Sequence, residues 1–260
     1  MESLQIIKIG GNVVDDANLL DNFLNDFVQI KTPKILIHGG GKIATELAQK
    51  LNIAQTMIEG RRVTDSETLK IATMVYAGLV NKNIVAKLQS KQCNAIGLSG
   101  ADANVISGEK RNHPTIDFGF VGEIIAINTD QIISFIKQGL VPVFCPIIHD
   151  SEGTLLNTNA DTIATQIAIA LAKIYQVNLS FCFEKKGILR NLDDDESYIP
   201  SINKSEYEKL KASKIISNGM IPKLDNAFEA INNGVNKVLL YHANQLATLE
   251  TNLIGTQLQQ

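Results

Sequence analysis

Short apolar, β-branched runs alternate with amphipathic helical stretches along almost the whole chain, and this alternation constrains the fold more than any other feature. The runs Gln5–Ile9, Lys34–Ile37, Ala95–Leu98, Val141–Phe144, Leu179–Phe183 and Lys237–Leu240 read as strands. The stretches Asp16–Gln29, Lys42–Leu51, Ser66–Lys91, Asp130–Lys137, Asp161–Ile174 and Ile221–Asn232 read as helices. Strands joined by helical crossovers lie parallel and are covered on both faces. The expected class is therefore α/β, with a mostly parallel central sheet sandwiched between helices. Ligands of such sheets bind beyond the carboxyl ends of the strands, so the loops after the strands are where chemistry belongs.

Composition narrows the function. The 260 residues can bury a core without a disulfide or metal staple. Lysine plus arginine is 24 and aspartate plus glutamate 27, a net charge of 24 − 27 = −3. A chain this close to neutral has no overall pull on nucleic acid or anionic lipid, and it lacks both a basic helix and an aromatic platform. The longest apolar run, Leu140–Ile148, is broken by Pro142 and Pro146 and falls short of the roughly 20 residues of a membrane span. Met1-Glu2-Ser3 does not resemble a signal peptide, so the cytoplasm is the expected compartment. Cys93, Cys145 and Cys182 are far apart and form no CxxC pair, which argues for buried free thiols rather than zinc or dithiol chemistry.

The helix from Ser66 is the longest. Thr64 and Glu67 have capping-box spacing and set its expected start. Leu69, Ala72, Val75, Tyr76, Leu79 and Val80 form an apolar stripe that serves the core or a dimer contact. Between Ser99 and Asn128 the periodicity fails, and glycines 100, 108, 119 and 122 punctuate short extended pieces. These read as β-hairpins, a lid over one substrate. The acidic, polar Leu189–Ser205 reads as a surface excursion.

Three glycine-rich turns follow strands or open helices: Lys8-Ile9-Gly10-Gly11-Asn12, His38-Gly39-Gly40-Gly41-Lys42 and Asn218-Gly219-Met220-Ile221-Pro222-Lys223. Glycines let backbone approach a ligand and aim amide N–H groups at an anion, and a helix N-terminus adds positive potential. Three such turns point to phosphate or carboxylate binding. A Walker A loop is excluded, because Ile43 follows Gly41-Lys42 and position 36 is Leu. Gly39, Gly41 and Ala44 formally meet the dinucleotide fingerprint, with Glu59 near the distance of a ribose-binding acid. That alternative leaves Lys8, Lys223 and the segment around Asp161 unused. Asn157-Thr158-Asn159-Ala160-Asp161 and Arg61-Arg62-Val63-Thr64-Asp65 each precede a helix. Their residues suit helix caps or, for an arginine, a fork onto a carboxylate.

Taken together these segments resemble acetylglutamate kinase, of the amino-acid kinase superfamily. The resemblance runs nearly end to end. It is carried by Lys8-Ile9-Gly10-Gly11, His38-Gly39-Gly40-Gly41, Arg62-Val63-Thr64-Asp65, Asn81-Lys82, Gly97-Leu98-Ser99-Gly100-Ala101-Asp102 and Gly119-Phe120-Val121-Gly122-Glu123. It continues through Asn157-Thr158-Asn159-Ala160-Asp161, Gly219-Met220-Ile221-Pro222-Lys223 and Gly255-Thr256.

The resemblance implies one amino-acid kinase domain over 1–260, with an acyl amino acid-binding and dimerisation half (1–175) and a nucleotide-binding half (176–260). It implies ATP-dependent phosphorylation of the side-chain carboxylate of N-acetyl-L-glutamate, in arginine biosynthesis. Lys8, Lys223 and Asp161 would be catalytic, the lysines on the phosphoryl group and the aspartate orienting them. Gly40, Gly41, Arg62 and Asn157 would hold the acyl amino acid, with Arg62 on its α-carboxylate. Gly10, Gly11, Asn159, Glu184, Gly187, Gly219, Met220 and Ile221 would serve the phosphates and nucleotide. ATP is the co-substrate and Mg2+ comes with it. No metal site of the protein's own is assigned, and the partners are small molecules and a second copy of the chain.

The sequence departs from the family pattern in places. Phe183-Glu184 stands where Thr-Asp or Ser-Asp is usual, with Lys185-Lys186-Gly187 after it, and Lys42 replaces a common proline. The first strand is reached by residue 5, as in the shorter, arginine-insensitive, dimeric members. The alternatives are a kinase for another acyl group such as N-succinyl-L-glutamate, a carrier-linked aminoadipate or nucleoside-monophosphate kinase, and a silent amino-acid sensor. Retention of Lys8, Asp161 and Lys223 argues against the sensor.

Overall fold

A computed structural model describes residues 1–58, 61–191, 193–213, 215–216, 219–248 and 254–259. In chain order, β1 (Ser3–Ile9), α1 (Gly11–Asp15) and α2 (Ala17–Gln29) are followed by β2 (Lys34–His38), α3 (Gly41–Lys50), β3 (Thr56–Ile58) and β4 (Arg61–Val63). α4 (Ser66–Thr73) continues through a π-helical turn, Met74–Val80, into α5 (Asn81–Ser90). Next come β5 (Ala95–Leu98), β6 (Ile106–Lys110), β7 (Gly122–Ile127), α6 (Thr129–Lys137), β8 (Val141–Phe144), β9 (Ile147–His149) and β10 (Leu155–Asn157). α7 (Ala160–Leu171), β11 (Gln176–Phe183), β12 (Ser201–Ile202), α8 (Lys204–Ala212), α9 (Met220–Asn232), β13 (Lys237–His242) and β14 (Gly255–Leu258) complete the chain.

The chain divides into two compact units, one of residues 1–34 and 164–260, the other of residues 35–163. In the first unit the strand order is β12-β14-β13-β11-β1. β1, β11 and β13 run parallel, with Lys8 opposite Phe181 and Phe183 opposite His242. β14 runs antiparallel to β13, and β12 parallel to β14. Leu4, Ile6, Ile7 and Ile9 on β1 are all fully buried, with no alternation, as expected of a strand covered on both faces. α9 packs on β13 and α1 on β11. Asp16 starts α2 by accepting from the Asn18 and Leu19 amides, each at 2.9 Å. Phe23 and Phe27 of that helix stack in the core at 6.0 Å.

In the second unit β2, β8 and β5 form a parallel sheet in that order, with α5 and α6 against it. A separate sheet, β10-β9-β6-β7, contains the expected hairpin: β6 and β7 pair antiparallel, with a register shift between Ser107 and Gly108. The fold class is thus the α/β arrangement of mostly parallel strands flanked by helices that the alternation implies. Each of the six strands and six helices read from the sequence is present, with ends shifted by a few residues.

Three local expectations change. The cap of α4 is Asp65, whose Oδ1 accepts from the Thr68 amide at 2.7 Å, and not Thr64, which is fully buried and bonded elsewhere. The long helix is not uniformly α, because the π-helical turn interrupts it. Leu189–Ser205 is not wholly a surface excursion: Leu189, Ile199 and Ile202 are buried, and β12 joins the sheet, while Asp193–Glu196 stay exposed.

Candidate active site

In the second unit, the turn after β2 places Gly40 ahead of α3 with φ +155°, a conformation that side-chain-bearing residues rarely adopt. A Cβ there would stand 3.1 Å from Tyr76 Cδ1, so the Tyr76 ring leaves no room for a side chain at this position. His38, fully buried at the end of β2, hydrogen-bonds the Gly39 carbonyl through Nδ1 at 2.7 Å and the Asn81 amide nitrogen through Nε2 at 3.0 Å. A carbonyl needs a donor and an amide nitrogen an acceptor, so the network selects the Nδ1–H tautomer. His38 therefore braces the loop.

Arg62 reaches the same loop from β4. Its Nη2 donates to the Gly41 carbonyl at 3.0 Å and to Thr45 Oγ1 at 2.9 Å, and its Nη1 donates to Gln55 Oε1. Two residues on, Thr64 Oγ1 donates to the Arg62 carbonyl at 3.1 Å and accepts from Asn157 Nδ2 at 3.0 Å. Gly41, Arg62, Thr64 and Asn157 thus form one continuous polar chain, although Asn157 is 93 residues from Thr64. Asn157 Oδ1 is buried and has no hydrogen-bond partner among the described residues. A buried acceptor without a partner is costly, and a ligand donor is a sufficient reason for one. Asn159 Oδ1 then accepts from the Asp161 amide at 2.7 Å and starts α7, with Asp161 buried in the first turn.

In the first unit the lysines gather at the carboxyl end of β11. Lys8, buried on β1, lies opposite Phe181 in the parallel register. Lys223, in the first turn of α9, sits with its Nζ 5.3 Å from the Phe181 ring centroid and 5.8 Å from that of Phe183. Both cations act on the Cys182 thiol of the same strand, but burial wins and pushes that thiol up to about 12. The Gly10 amide donates to the Cys182 carbonyl at 2.8 Å, which holds the first glycine turn against the same strand end. A Cβ on Gly11 or Gly219 would have nothing within 4 Å. Met220 and Ile221 begin α9, half-buried.

The remaining nucleotide-side residues are placed less tightly. Glu184 is exposed, beyond the end of β11. Gly187 packs against β14, where a Cβ would meet Thr256 Oγ1 at 2.6 Å. Thr256 explains its motif structurally: its Oγ1 accepts from the Ile188 amide at 2.9 Å and donates to the Ile199 carbonyl at 2.6 Å. The departure segment is tied down by charge, with Lys185 on Asp195 at 2.9 Å and Lys186 on Glu196. Asn218 of the third turn and Glu59 of the dinucleotide alternative lie outside the described residues. Among the described residues no group of three or more His, Cys, Asp or Glu side chains is arranged to hold a metal ion. Tyr76, Thr45 and Gln55 line the Arg62 site without having been singled out for it. Only Tyr76 carried a signal, as a polar-tipped aromatic in an apolar stripe.

Residues 3–242 match the amino acid kinase family. An acetylglutamate kinase of Cytophaga hutchinsonii is 52% identical over 99% of each chain, and one of Bacteroides fragilis is 51% identical over 95% of each. The crystal structure of smu.665 from Streptococcus mutans superposes with a TM-score of 0.80 at 25% identity, covering 98% of both chains. The chain belongs to the amino acid kinase family and, within it, groups with the acetylglutamate kinases.

Proposed function

We propose that this protein transfers the γ-phosphoryl group of ATP to the side-chain carboxylate of N-acetyl-L-glutamate, as a step of arginine biosynthesis. The observation that carries this reading is the near full-length match, at about half identity, to proteins named acetylglutamate kinase.

The chain's own residues support a mechanism of positioning and charge. A carboxylate with an ordinary pKa of about 4.3 is ionised at neutral pH, so its oxygen attacks the γ-phosphorus without a general base. The bond from that phosphorus to the β-bridging oxygen breaks, ADP leaves, and no proton moves. The obstacle is repulsion between two anions, and cations around the equatorial oxygens relieve it. Lys8 and Lys223 supply two positive charges at one strand end, and the Gly11 amide, in the first turn of α1, adds a donor. Asp161 is the carboxylate assigned to orienting the cations. Mg2+, carried in on ATP as part of that substrate, neutralises phosphate charge.

Arg62 takes the α-carboxylate, where a guanidinium forks onto two oxygens. The unpartnered Asn157 Oδ1 suits the amide N–H that only an N-acylated amino acid presents. Gly40 and Gly41 let the ligand approach the backbone. Asn159, Glu184, Gly187 and Gly219–Ile221 are assigned to the phosphates and nucleotide. The working form is a homodimer in the cytoplasm, and the exposed Met74 and Leu79 on the π-helical turn suit a subunit contact. No helix among the described residues is long and apolar enough to cross a membrane.

Hydroxylamine trapping of the acyl phosphate tests the reaction. Arg62→Ala tests the site: the KM for N-acetyl-L-glutamate should rise by about tenfold or more while that for ATP stays level. An equal loss on both substrates would contradict the assignment.

A further inference from the structure

The π-helical turn Met74–Val80 interrupts the helix that runs from Ser66 to Ser90. Such insertions shift the angular phase of the side chains that follow, and they recur at functional sites. Here the turn buries Val75, Tyr76 and Val80 and leaves Met74 and Leu79 exposed. Tyr76 is the one side chain of this group with a polar end. Its ring lies against Gly40, with Cδ1 and Cε1 at 3.1 and 3.3 Å from where a Cβ would be. From the corresponding position on Gly41, Arg62 Nη2 stands 3.8 Å away and the Tyr76 hydroxyl 4.0 Å, so both reach the same turn. Burial pushes the phenol above its ordinary value, while the Arg62 charge and a hydrogen bond from Arg62 pull the other way.

We infer that Tyr76 is a positioning residue for the acyl amino acid, fixing the Arg62 guanidinium over the Gly40–Gly41 turn in the orientation that receives the α-carboxylate. The inference rests on Arg62 holding that carboxylate. Arg62 comes from β4, one strand of a short two-stranded hairpin, and a long side chain on such an element has many rotamers to lose on binding. Gly41, Thr45 and Gln55 hold its terminal nitrogens. The Tyr76 hydroxyl adds a contact from the helix, on a buried aromatic ring packed beside Gly40. The guanidinium is thereby held before substrate arrives, which lowers the ordering cost of binding.

The test is a double-mutant cycle read by steady-state kinetics, with Tyr76→Phe, Arg62→Ala and the double variant. Tyr76→Phe keeps the ring and its packing and removes only the hydroxyl. Its KM for N-acetyl-L-glutamate should rise about five- to tenfold, with kcat and the KM for ATP within about twofold of the parent. In the Arg62→Ala background the same change should do nothing further, because Tyr76 acts through the arginine. A role in packing alone would leave Tyr76→Phe at parental KM and overturn the inference. An undiminished Tyr76→Phe effect without Arg62 would overturn it too. If Arg62→Ala itself leaves the acyl amino acid KM unchanged, the site assignment fails and the inference falls with it. If Arg62→Ala raises that KM and Tyr76→Phe does not, only the inference fails.

Discussion

Asn157 Nδ2 donates to Thr64 Oγ1 at 3.0 Å, both residues buried, and so ties the segment before α7 to the segment before α4 across 93 residues of chain. Thr64 passes the contact on to the Arg62 carbonyl. Thr64→Val keeps the shape and removes both bonds, leaving the Asn157 side chain with neither end paired. The expected loss is about 1–3 kcal/mol of stability, with a raised KM for N-acetyl-L-glutamate. Urea unfolding and substrate titration on the same preparation check it; parental values in both would show the link to be incidental.

Lys8 carries a charge at the strand end where Lys223 also points. Lys8→Ala should lower kcat by roughly two or more orders of magnitude, as for loss of a transition-state contact. The far-ultraviolet circular dichroism should stay unchanged. Near-normal turnover would remove Lys8 from the chemistry.

The two kinds of glycine make opposite predictions. Gly40→Ala combines a φ of +155° with a Cβ 3.1 Å from the Tyr76 ring, so it should cost about 1–3 kcal/mol and weaken acyl amino acid binding. Gly219→Ala meets nothing within 4 Å and keeps an ordinary φ of −70°, so its thermal midpoint should not move. A several-fold rise in its KM for ATP would come from the ligand, since the fold has no need of that glycine. An unchanged KM for ATP would contradict the nucleotide assignment there.

The Asp65 cap gives a pH dependence. Its hydrogen bonds from Thr68, chiefly the backbone amide, hold the carboxyl below its ordinary 3.8. A carboxyl lowered on folding adds stability that is present above 3.8 and is lost as pH falls through the folded value. Asp65→Ala should cost about 1 kcal/mol at neutral pH, and the gap from the parent should close in acid. Thermal midpoints between pH 3 and 7 read this directly; a gap constant with pH would mean that the carboxylate is not the capping group.

The central strands and the glycine turns were legible because their signals are local. A covered parallel strand must be a short apolar run, and a turn that approaches a ligand must carry glycine. The cap of α4 was misread for the opposite reason. Thr64 and Asp65 both suit the position, and what decides between them is Asn157, which claims Thr64 from far along the chain. The π-helical turn left no trace, since Leu69, Ala72, Val75 and Tyr76 fit α-helical spacing up to the point where the phase changes. α8 was missed because Tyr207 is its only buried residue and gives no stripe, although Asn203 and Glu206 form a capping box that marks its start. Arg62 and Gly41 were candidates through the family resemblance, and the fold brings the two together. Tyr76, Thr45 and Gln55 were not, because only the folded chain brings them to the guanidinium.

The most direct test of the central claim is ATP-dependent acyl phosphate formation, trapped as the hydroxamate, with N-acetyl-L-glutamate, N-succinyl-L-glutamate and free L-glutamate side by side. The account predicts turnover with N-acetyl-L-glutamate, little with the other two, and none without ATP. Preference for the succinyl compound would contradict the acetyl assignment while leaving the phosphoryl chemistry in place. No turnover with any of the three would contradict the kinase reading itself.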